Sequence, residues 1–251
     1  MIDEEKYSSA LDRHFNHTVL RIGFSYDGPT ELGGLVVAPA HRSAPERFGR
    51  LISYVRFVYI TEHRALFRDQ LLAELLPPLE PDGTSHLWEA FGRRFTGMSY
   101  AEADRLSSEN KSFIRDLFPS GNVYASLLSD DARSVIGKVG AQTKGVEKML
   151  RRVGFRYARR IDPFDGGPHF VAPAEEVTLI QETRRLPLRV RTPGPSAPQA
   201  LVARSFSVAP FFRALAVRAE PAAEHVTLEA EAAELLGASD GEPLSVLPFT
   251  R

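Results

Sequence analysis

Residues 32–37 (LGGLVV) and 48–67 (FGRLISYVRFVYITEHRALF) form the stretch that decides the fold. The first run is apolar and β-branched, which is typical of a strand. Its two glycines predict either a backbone that something can approach closely or a bulge. In the second run, apolar residues recur at helical spacing, as at Leu51, Val55 and Tyr59. The stretch therefore predicts a strand, a turn and a long amphipathic helix, the core of an α/β or α+β fold.

Short strands and helices are predicted on both sides of this stretch. The strands lie at residues 18–26, 71–76, 123–127 and 155–160, and the helices at 85–91, 100–105, 111–118, 130–136 and 146–153. Residues 193–198 (PGPSAP) read as a semi-rigid linker. Beyond them we predict strands at 200–205, 214–218, 226–228 and 244–247. We therefore expect one domain at residues 1–192 and a small β-rich C-terminal subdomain at residues 193–251.

The composition excludes several classes of protein. The 251 residues are 43% hydrophobic and 25% charged, with 31 basic and 32 acidic residues and no cysteine. A disordered chain, a basic nucleic-acid-binding protein, a disulfide scaffold and a thiolate metal site are thereby excluded. The histidines and acids show no metal-ligand spacing, so no metal site is expected. The polar start and the lack of a long apolar run predict a cytoplasmic protein without a membrane segment.

Seven segments together carry a resemblance to one protein family. They are residues 28–32 (GPTEL), 87–95 (LWEAFGRRF), 98–104 (MSYAEAD), 113–119 (FIRDLFP), 135–139 (VIGKV), 154–157 (GFRY) and 161–168 (IDPFDGGP). In this order, and almost without gaps from residue 87 to residue 168, they resemble the arginine N-succinyltransferases of the GNAT superfamily of acyl-CoA transferases. The resemblance implies a GNAT-like α+β fold, a mixed sheet flanked by helices.

The resemblance also implies an activity and a partner. Family members transfer a succinyl group from succinyl-CoA to the α-amino group of arginine in arginine catabolism, so succinyl-CoA would be a co-substrate and no cofactor would be resident. Residues 1–26 stand where the family has the first strands and helices of its fold. A sheet edge left open in this way is normally covered. We expect it to be covered by a second copy of the chain, by a full-length homologous subunit or by residues 1–26 themselves.

The candidate cofactor-binding residues follow from the GNAT pattern. A splayed strand holds the pantetheine arm, and here that strand would contain Leu35, Val36 and Val37, with Leu35 at a position that contacts succinyl-CoA in the family. A glycine-rich turn before a helix binds the pyrophosphate. The corresponding candidates are Arg42, Arg47, Gly49 and Arg50. Arg47 stands where the family has its first glycine, and the alternative is that these arginines are solvated surface residues.

The catalytic residue cannot be carried over from the family. The family histidine that donates a proton corresponds to Gly140, which cannot transfer one. His169, just after the 161–168 segment, is a substitute candidate, and the alternative is an exposed loop histidine.

The candidate substrate-binding residues are mainly acidic. Candidates for binding arginine are Glu31, Glu89, Gln142, Asp162 and Asp165, because carboxylates pair with a guanidinium through two hydrogen bonds. The two aspartates could equally form a turn. Trp88, Phe91 and Phe95 are spaced for one helical face and are predicted to be core.

Two functions from different classes remain open. The chain is either an active acyl-CoA transferase with a replacement proton relay, or a non-catalytic subunit or regulatory relative that pairs with a full-length succinyltransferase. The second hypothesis explains the missing histidine, the missing glycine and the missing first elements together.

Overall fold

The computed structural model describes residues 1–25 and 27–249. The strands are β1 (Ile2–Ser8), β2 (Arg13–Leu20), β3 (Thr30–Glu31), β4 (Gln70–Glu74), β5 (Val123–Tyr124), β6 (Arg156–Ile161), β7 (Pro168–Pro173), β8 (Arg184–Val190), β9 (Gln199–Ser205), β10 (Phe212–Arg218), β11 (Glu220–Pro221), β12 (Val226–Leu228) and β13 (Pro243–Pro248). The α-helices are α1 (Phe48–Glu62), α2 (Arg93–Thr96), α3 (Tyr100–Glu109), α4 (Ser112–Leu117), α5 (Asp130–Val135), α6 (Lys144–Arg152), α7 (Thr178–Glu182) and α8 (Ala230–Leu236). Helices and sheets share the chain throughout, so the predicted α+β class is confirmed.

The chain forms two compact units, and each is built from separate stretches of sequence. The first contains Met1–Leu32 and Gln70–Ala172, and the second contains Gly33–Asp69 and the chain from Pro173 onward. Residues 193–198 connect β8 with β9 inside one sheet. The units therefore differ from the division at residue 193 that the Pro- and Gly-rich segment predicts.

The first unit contains two sheets. One has the strand order β3-β4-β7-β6, with β3 parallel to β4 and β6 antiparallel to β7, which is the expected mixed sheet. The side chains of residues 71–75 alternate between the two faces of this sheet. Leu71, Ala73 and Leu75 are buried on one face, while Leu72 and Glu74 point to the other. The second sheet has the order β1-β2-β5 and is largely exposed.

Aromatic packing fixes the helical side of the first unit. Trp88 is fully buried in a π-helical turn, Trp88–Gly92, and stacks on Phe164 with ring centroids 5.1 Å apart. Its indole N–H donates to the backbone oxygen of Met98 at 2.9 Å. Phe91 is half-buried, but Phe95 is 43% exposed, so the prediction that all three aromatic residues are core is wrong for Phe95.

The second unit is a six-stranded sheet with α1 and α8. Its strand order is β10-β9-β13-β8-β12-β11, and α1 contacts α7, β9 and β13. The predicted long helix is confirmed as α1, which ends at Glu62, before a 3₁₀ turn at Arg64–Leu66. Tyr54, Phe57, Val58 and Ile60 are its buried large side chains.

The predicted strand at residues 32–37 is wrong. Parallel pairing with β4 ends at Glu31, and the backbone N–H of Leu32 makes one further hydrogen bond, to the Leu72 oxygen at 2.7 Å. Gly34 then has a φ of 67°, a left-handed conformation outside the extended range of a regular strand. Gly34 therefore turns the chain out of the sheet.

In the part of the chain that the structure describes, no helix is both long and apolar enough to cross a membrane.

Candidate functional site

A cavity of about 510 Å³ lies in the first unit, on the face of the four-stranded sheet that carries Leu72. Strand β7 contributes His169 and Val171, because Phe170 and Ala172 alternate with them and are buried on the opposite face. The loop after β2 and the end of β6 complete the lining. A concave site of this size suits a small-molecule ligand.

His169 is the ionisable side chain that β7 places in the cavity wall. Its Nε2 lies 3.0 Å from Oε1 of Glu74 on the neighbouring strand, and its side chain is 15% exposed. The two atoms lie within ion-pairing distance but without the alignment of a hydrogen bond, and the contact is an ion pair only when the imidazole is protonated. The imidazole lowers the pKa of the Glu74 carboxyl. The prediction that His169 is a substitute candidate is therefore retained, because it is not an exposed loop residue.

Asp162 and Asp165 form the turn between β6 and β7. Asp162 Oδ1 accepts hydrogen bonds from the backbone N–H groups of Phe164 at 2.6 Å and Asp165 at 3.3 Å. Asp165 Oδ1 accepts one from Gly167 at 2.7 Å. Both aspartates therefore act as turn-formers, one of the two roles that the sequence left open.

The two aspartates are also electrostatically coupled. Burial, reinforced by the charge of Asp162, raises the pKa of Asp165 from 3.8 to about 7. Burial likewise raises the pKa of Asp162. Tyr100, at the start of α3, faces this pair, and its burial and the charge of Asp165 raise its pKa well above the ordinary value. Tyr100 was not among the site residues that the sequence predicted.

Three groups in this region could hold a divalent cation. One potential ligand atom each of Glu74, Asp162 and His169 lie within 4.8 Å of one another. Asp162 and His169 belong to the β6–β7 hairpin, but Glu74 comes from β4, far away in the sequence, so sequence spacing, on which the expectation of no metal site rested, could not have found the group.

Gly140 packs against the segment that follows β4. Its N–H donates to the Leu76 oxygen at 2.8 Å. A Cβ at this position would lie 2.5 Å from the Pro77 oxygen. The backbone therefore leaves no space for a side chain where the family has histidine.

In the part of the chain that the structure describes, none of the acidic candidates or Gln142 belongs to the cavity lining, and Asp162 and Asp165 lie closer to it than the rest, in the turn before His169. Glu31 is exposed at the end of β3, and Gln142 is exposed in a 3₁₀ turn, Ala141–Thr143. Glu89 pairs with Arg93 at 2.9 Å on the same helical face. The structure therefore brings Asp162, Asp165 and His169 together and does not bring these three to them.

The cofactor-binding candidates belong to the second unit. Leu35 and Val37 are half-buried, while Val36 is 76% exposed. The Nε–H of Arg42 donates to the Val37 oxygen at 3.0 Å. Arg47 is the N-cap of α1 and has a φ of 54°, the left-handed region that glycine favours.

A second cavity, of about 590 Å³, surrounds the start of α1. Arg47 and Arg50 line it together with Arg218 and Phe249, which sequence analysis did not single out. The guanidinium of Arg50 stacks 5.1 Å from the centre of the Phe249 ring. The space around Gly49 does not demand a glycine, because a Cβ at this position would lie at an ordinary contact distance of 3.6 Å from its nearest neighbour.

Comparison with known proteins places these features in a family. A sequence model described as arginine N-succinyltransferase beta subunit matches residues 1–179. The arginine N-succinyltransferase subunit beta of Pseudomonas aeruginosa is 37% identical over 196 residues, which cover 78% of this chain and 57% of that protein. The arginine N-succinyltransferase of Citrobacter koseri is 33% identical over 219 residues, covering 86% and 62%. The chain thus spans less than two thirds of the length of these relatives.

A solved structure agrees with this assignment. The arginine/ornithine succinyltransferase subunit AI of Pseudomonas aeruginosa superposes with a TM-score of 0.82 at 26% identity, covering 100% of this chain and 72% of that one. The GNAT-like fold that the motifs implied is therefore confirmed. The fold and the matched residues together show that the chain belongs to the arginine N-succinyltransferase beta subunit family.

Proposed function

We propose that this chain is an N-acyltransferase that transfers the succinyl group of succinyl-CoA to the α-amino group of arginine, with the amine bound in the 510 Å³ cavity. One observation carries the proposal: His169 lies in the cavity wall with a carboxylate, Glu74, 3.0 Å from its Nε2. A neighbouring carboxylate stabilises the imidazolium that a histidine base becomes when it takes up a proton. The names of the relatives support the choice of substrates.

His169 accounts for the first of the two proton movements of the reaction. With Nε2 directed at Glu74, Nδ1 of His169 accepts one proton from the substrate ammonium group. The amine nitrogen then attacks the thioester carbon, the C–N bond forms and the C–S bond breaks. The second proton of the nitrogen passes to the leaving CoA sulfur. The Glu74 carboxylate stabilises the imidazolium while it carries the first proton.

Taken by itself, the cavity of the second unit suits an anionic ligand such as the phosphates of succinyl-CoA. Arg47, Arg50 and Arg218 supply three guanidinium groups around about 590 Å³. Guanidinium groups bind phosphate oxygens through paired hydrogen bonds. Arg218 thereby joins the candidates that the sequence suggested.

The test is succinylation of arginine by the purified chain, followed as CoA thiol release. His169→Gln should lower kcat by about 10²- to 10⁴-fold, because the base is lost while its volume is nearly kept. Glu74→Gln should lower kcat by less. His14→Gln is the matched control, since His14 also lies 3.0 Å from a glutamate, Glu5, but on the exposed β1–β2 hairpin. Turnover that His169→Gln leaves unchanged would overturn this assignment of the base.

A second candidate function is supported by Gly140. Because the backbone leaves no room for the family histidine there, the chain fits a non-catalytic subunit that acts with a second copy or with a full-length succinyltransferase. In that case the chain alone binds ligand without turnover, and mixing it with a full-length relative changes that relative's activity. Turnover by the chain alone, lost in His169→Gln, excludes this function.

A further inference from the structure

We infer that Arg21 and Arg160 bind a substrate carboxylate in the first-unit cavity, so that the site selects a ligand with a free carboxylate over a simple amine. The inference rests on the proposed use of this cavity for the acceptor. Both arginines line it together with His169. The carboxylate is either the α-carboxylate of the amino acid or the terminal carboxylate of the acyl group, and the experiment distinguishes the two.

A bulge in β6 brings Arg160 to the cavity lining beside Ile161. Consecutive residues of a regular strand point to opposite faces, yet both Arg160 and Ile161 line the cavity. The β6–β7 register shifts between Tyr157 and Ile161, and Arg159 within this interval has a φ of 54°. A bulge with a left-handed residue strains the backbone locally, and such bulges occur where a strand has to change the direction of a side chain. In β6 we assign this change of direction to Arg160.

The two arginines differ from their neighbours in their pairing. The Arg159 guanidinium forms an ion pair with Asp3, and Arg151 pairs with Glu147 at 2.9 Å. Among residues 1–25 and 27–249, neither Arg21 nor Arg160 forms an ion pair with a carboxylate. The cavity therefore has two guanidinium groups to which no carboxylate of the described chain is bound. Such groups are suited to bind a carboxylate of a ligand.

Opposite charges lie near each other in the first unit. Arg21 and Arg160 line the cavity and favour an anion, whereas Glu74 and Asp162 lie beside His169, a residue of the cavity wall, and favour a cation. An α-amino acid carries an ammonium and a carboxylate on one carbon. A cavity of about 510 Å³ has room for such a ligand and its side chain.

The test compares acceptors and donors that differ only in a carboxylate. Arginine is compared with agmatine, its decarboxylated analogue, and succinyl-CoA with acetyl-CoA. We expect the chain to prefer the carboxylate-bearing member of one pair by about 10- to 100-fold in kcat/KM. Arg160→Gln and Arg21→Gln should reduce that preference to a few-fold while leaving the poorer member unchanged. Loss of the arginine preference assigns the α-carboxylate, and loss of the succinyl preference assigns the acyl carboxylate.

The control variant is Arg133→Gln, which removes an equal charge from an exposed ion pair with Asp130 on α5. If no acceptor is turned over, the proposed function fails, and calorimetric binding of arginine, agmatine and succinate still tests the inference. Binding of arginine or succinate that is weakened about 10-fold or more in Arg160→Gln, but not in Arg133→Gln, supports it. Equal preferences in all variants, or no binding of arginine or succinate, overturn it.

Discussion

Replacing Asp165 by asparagine should stabilise the first unit, and the gain should increase with pH. A pKa raised in the folded state means that folding favours the protonated carboxyl, so stability falls as pH rises from the unfolded value towards the folded one. Because the pKa rises from 3.8 to about 7, the cost reaches roughly 4 kcal/mol above neutrality at 1.36 kcal/mol per pKa unit. Asparagine carries no charge, so the variant avoids this cost.

The geometry keeps the substitution conservative. Asp165 is only 6% exposed, so solvent screens its charge little. Its Oδ1 accepts the Gly167 N–H at 2.7 Å, and the amide oxygen of asparagine can accept the same hydrogen bond. The repulsion from Asp162 is also removed. We therefore expect the free energy of unfolding of the variant to exceed that of the parent by roughly 2 kcal/mol at pH 5 and roughly 4 kcal/mol at pH 8.

Urea unfolding followed by tryptophan fluorescence measures this difference. Trp88 is the sole tryptophan, and it stacks on Phe164, the residue before Asp165. The fluorescence therefore reports on the unit that contains the substitution. Glu109→Gln, an exposed acid on α3, is the control and should show no such dependence. A stability difference that is the same at pH 5 and pH 8, or a variant less stable at pH 8, would refute the reasoning.

Three further predictions concern positions with special backbone or burial. Gly140→Ala should lower the free energy of unfolding by about 1–3 kcal/mol, because its Cβ would lie 2.5 Å from a backbone oxygen. Gly145→Ala is the control and should lose no stability, since nothing lies within 4 Å of a Cβ there. Calorimetry measures both variants, and equal losses would contradict the packing argument. Arg47→Gly should change the free energy of unfolding by less than about 1 kcal/mol, since glycine suits a φ of 54°. The same substitution should raise the Kd for CoA, and an unchanged Kd argues against a phosphate site. Ser85→Ala should cost about 1–3 kcal/mol in urea unfolding, because its fully buried hydroxyl joins two backbone groups at 3.1 Å, and a neutral effect contradicts this.

The sequence could predict elements whose apolar pattern follows their own secondary structure. Helix α1 and strand β12 are of this kind. The run at residues 32–37 has a strand composition, but one left-handed glycine, Gly34, turns it out of the sheet. Strand β1 was missed because its residues are mostly polar and exposed, and its pairing with β2 rather than burial defines it.

The site was predictable only where its residues are close in sequence. The turn at residues 161–168 identified Asp162, Asp165 and the neighbouring His169. Glu74 is missed from sequence because its role depends on which strand lies beside β7, a long-range pairing without a local signal. Arg160 is missed because strict alternation along β6 would place it on the face opposite to that of Ile161. A bulge in β6 breaks this alternation.

The position of Gly140 connects the question of activity to the fold. Its N–H holds the backbone after β4 at Leu76, and a side chain would push on Pro77, two and three residues beyond Glu74. Restoring the family histidine by one substitution therefore disturbs the strand that holds the His169 partner. Gly140→His should consequently lose stability, as Gly140→Ala does, without gaining turnover. An active and fully stable Gly140→His variant would show that the backbone at residues 76–77 yields readily, and would contradict the packing argument at Gly140.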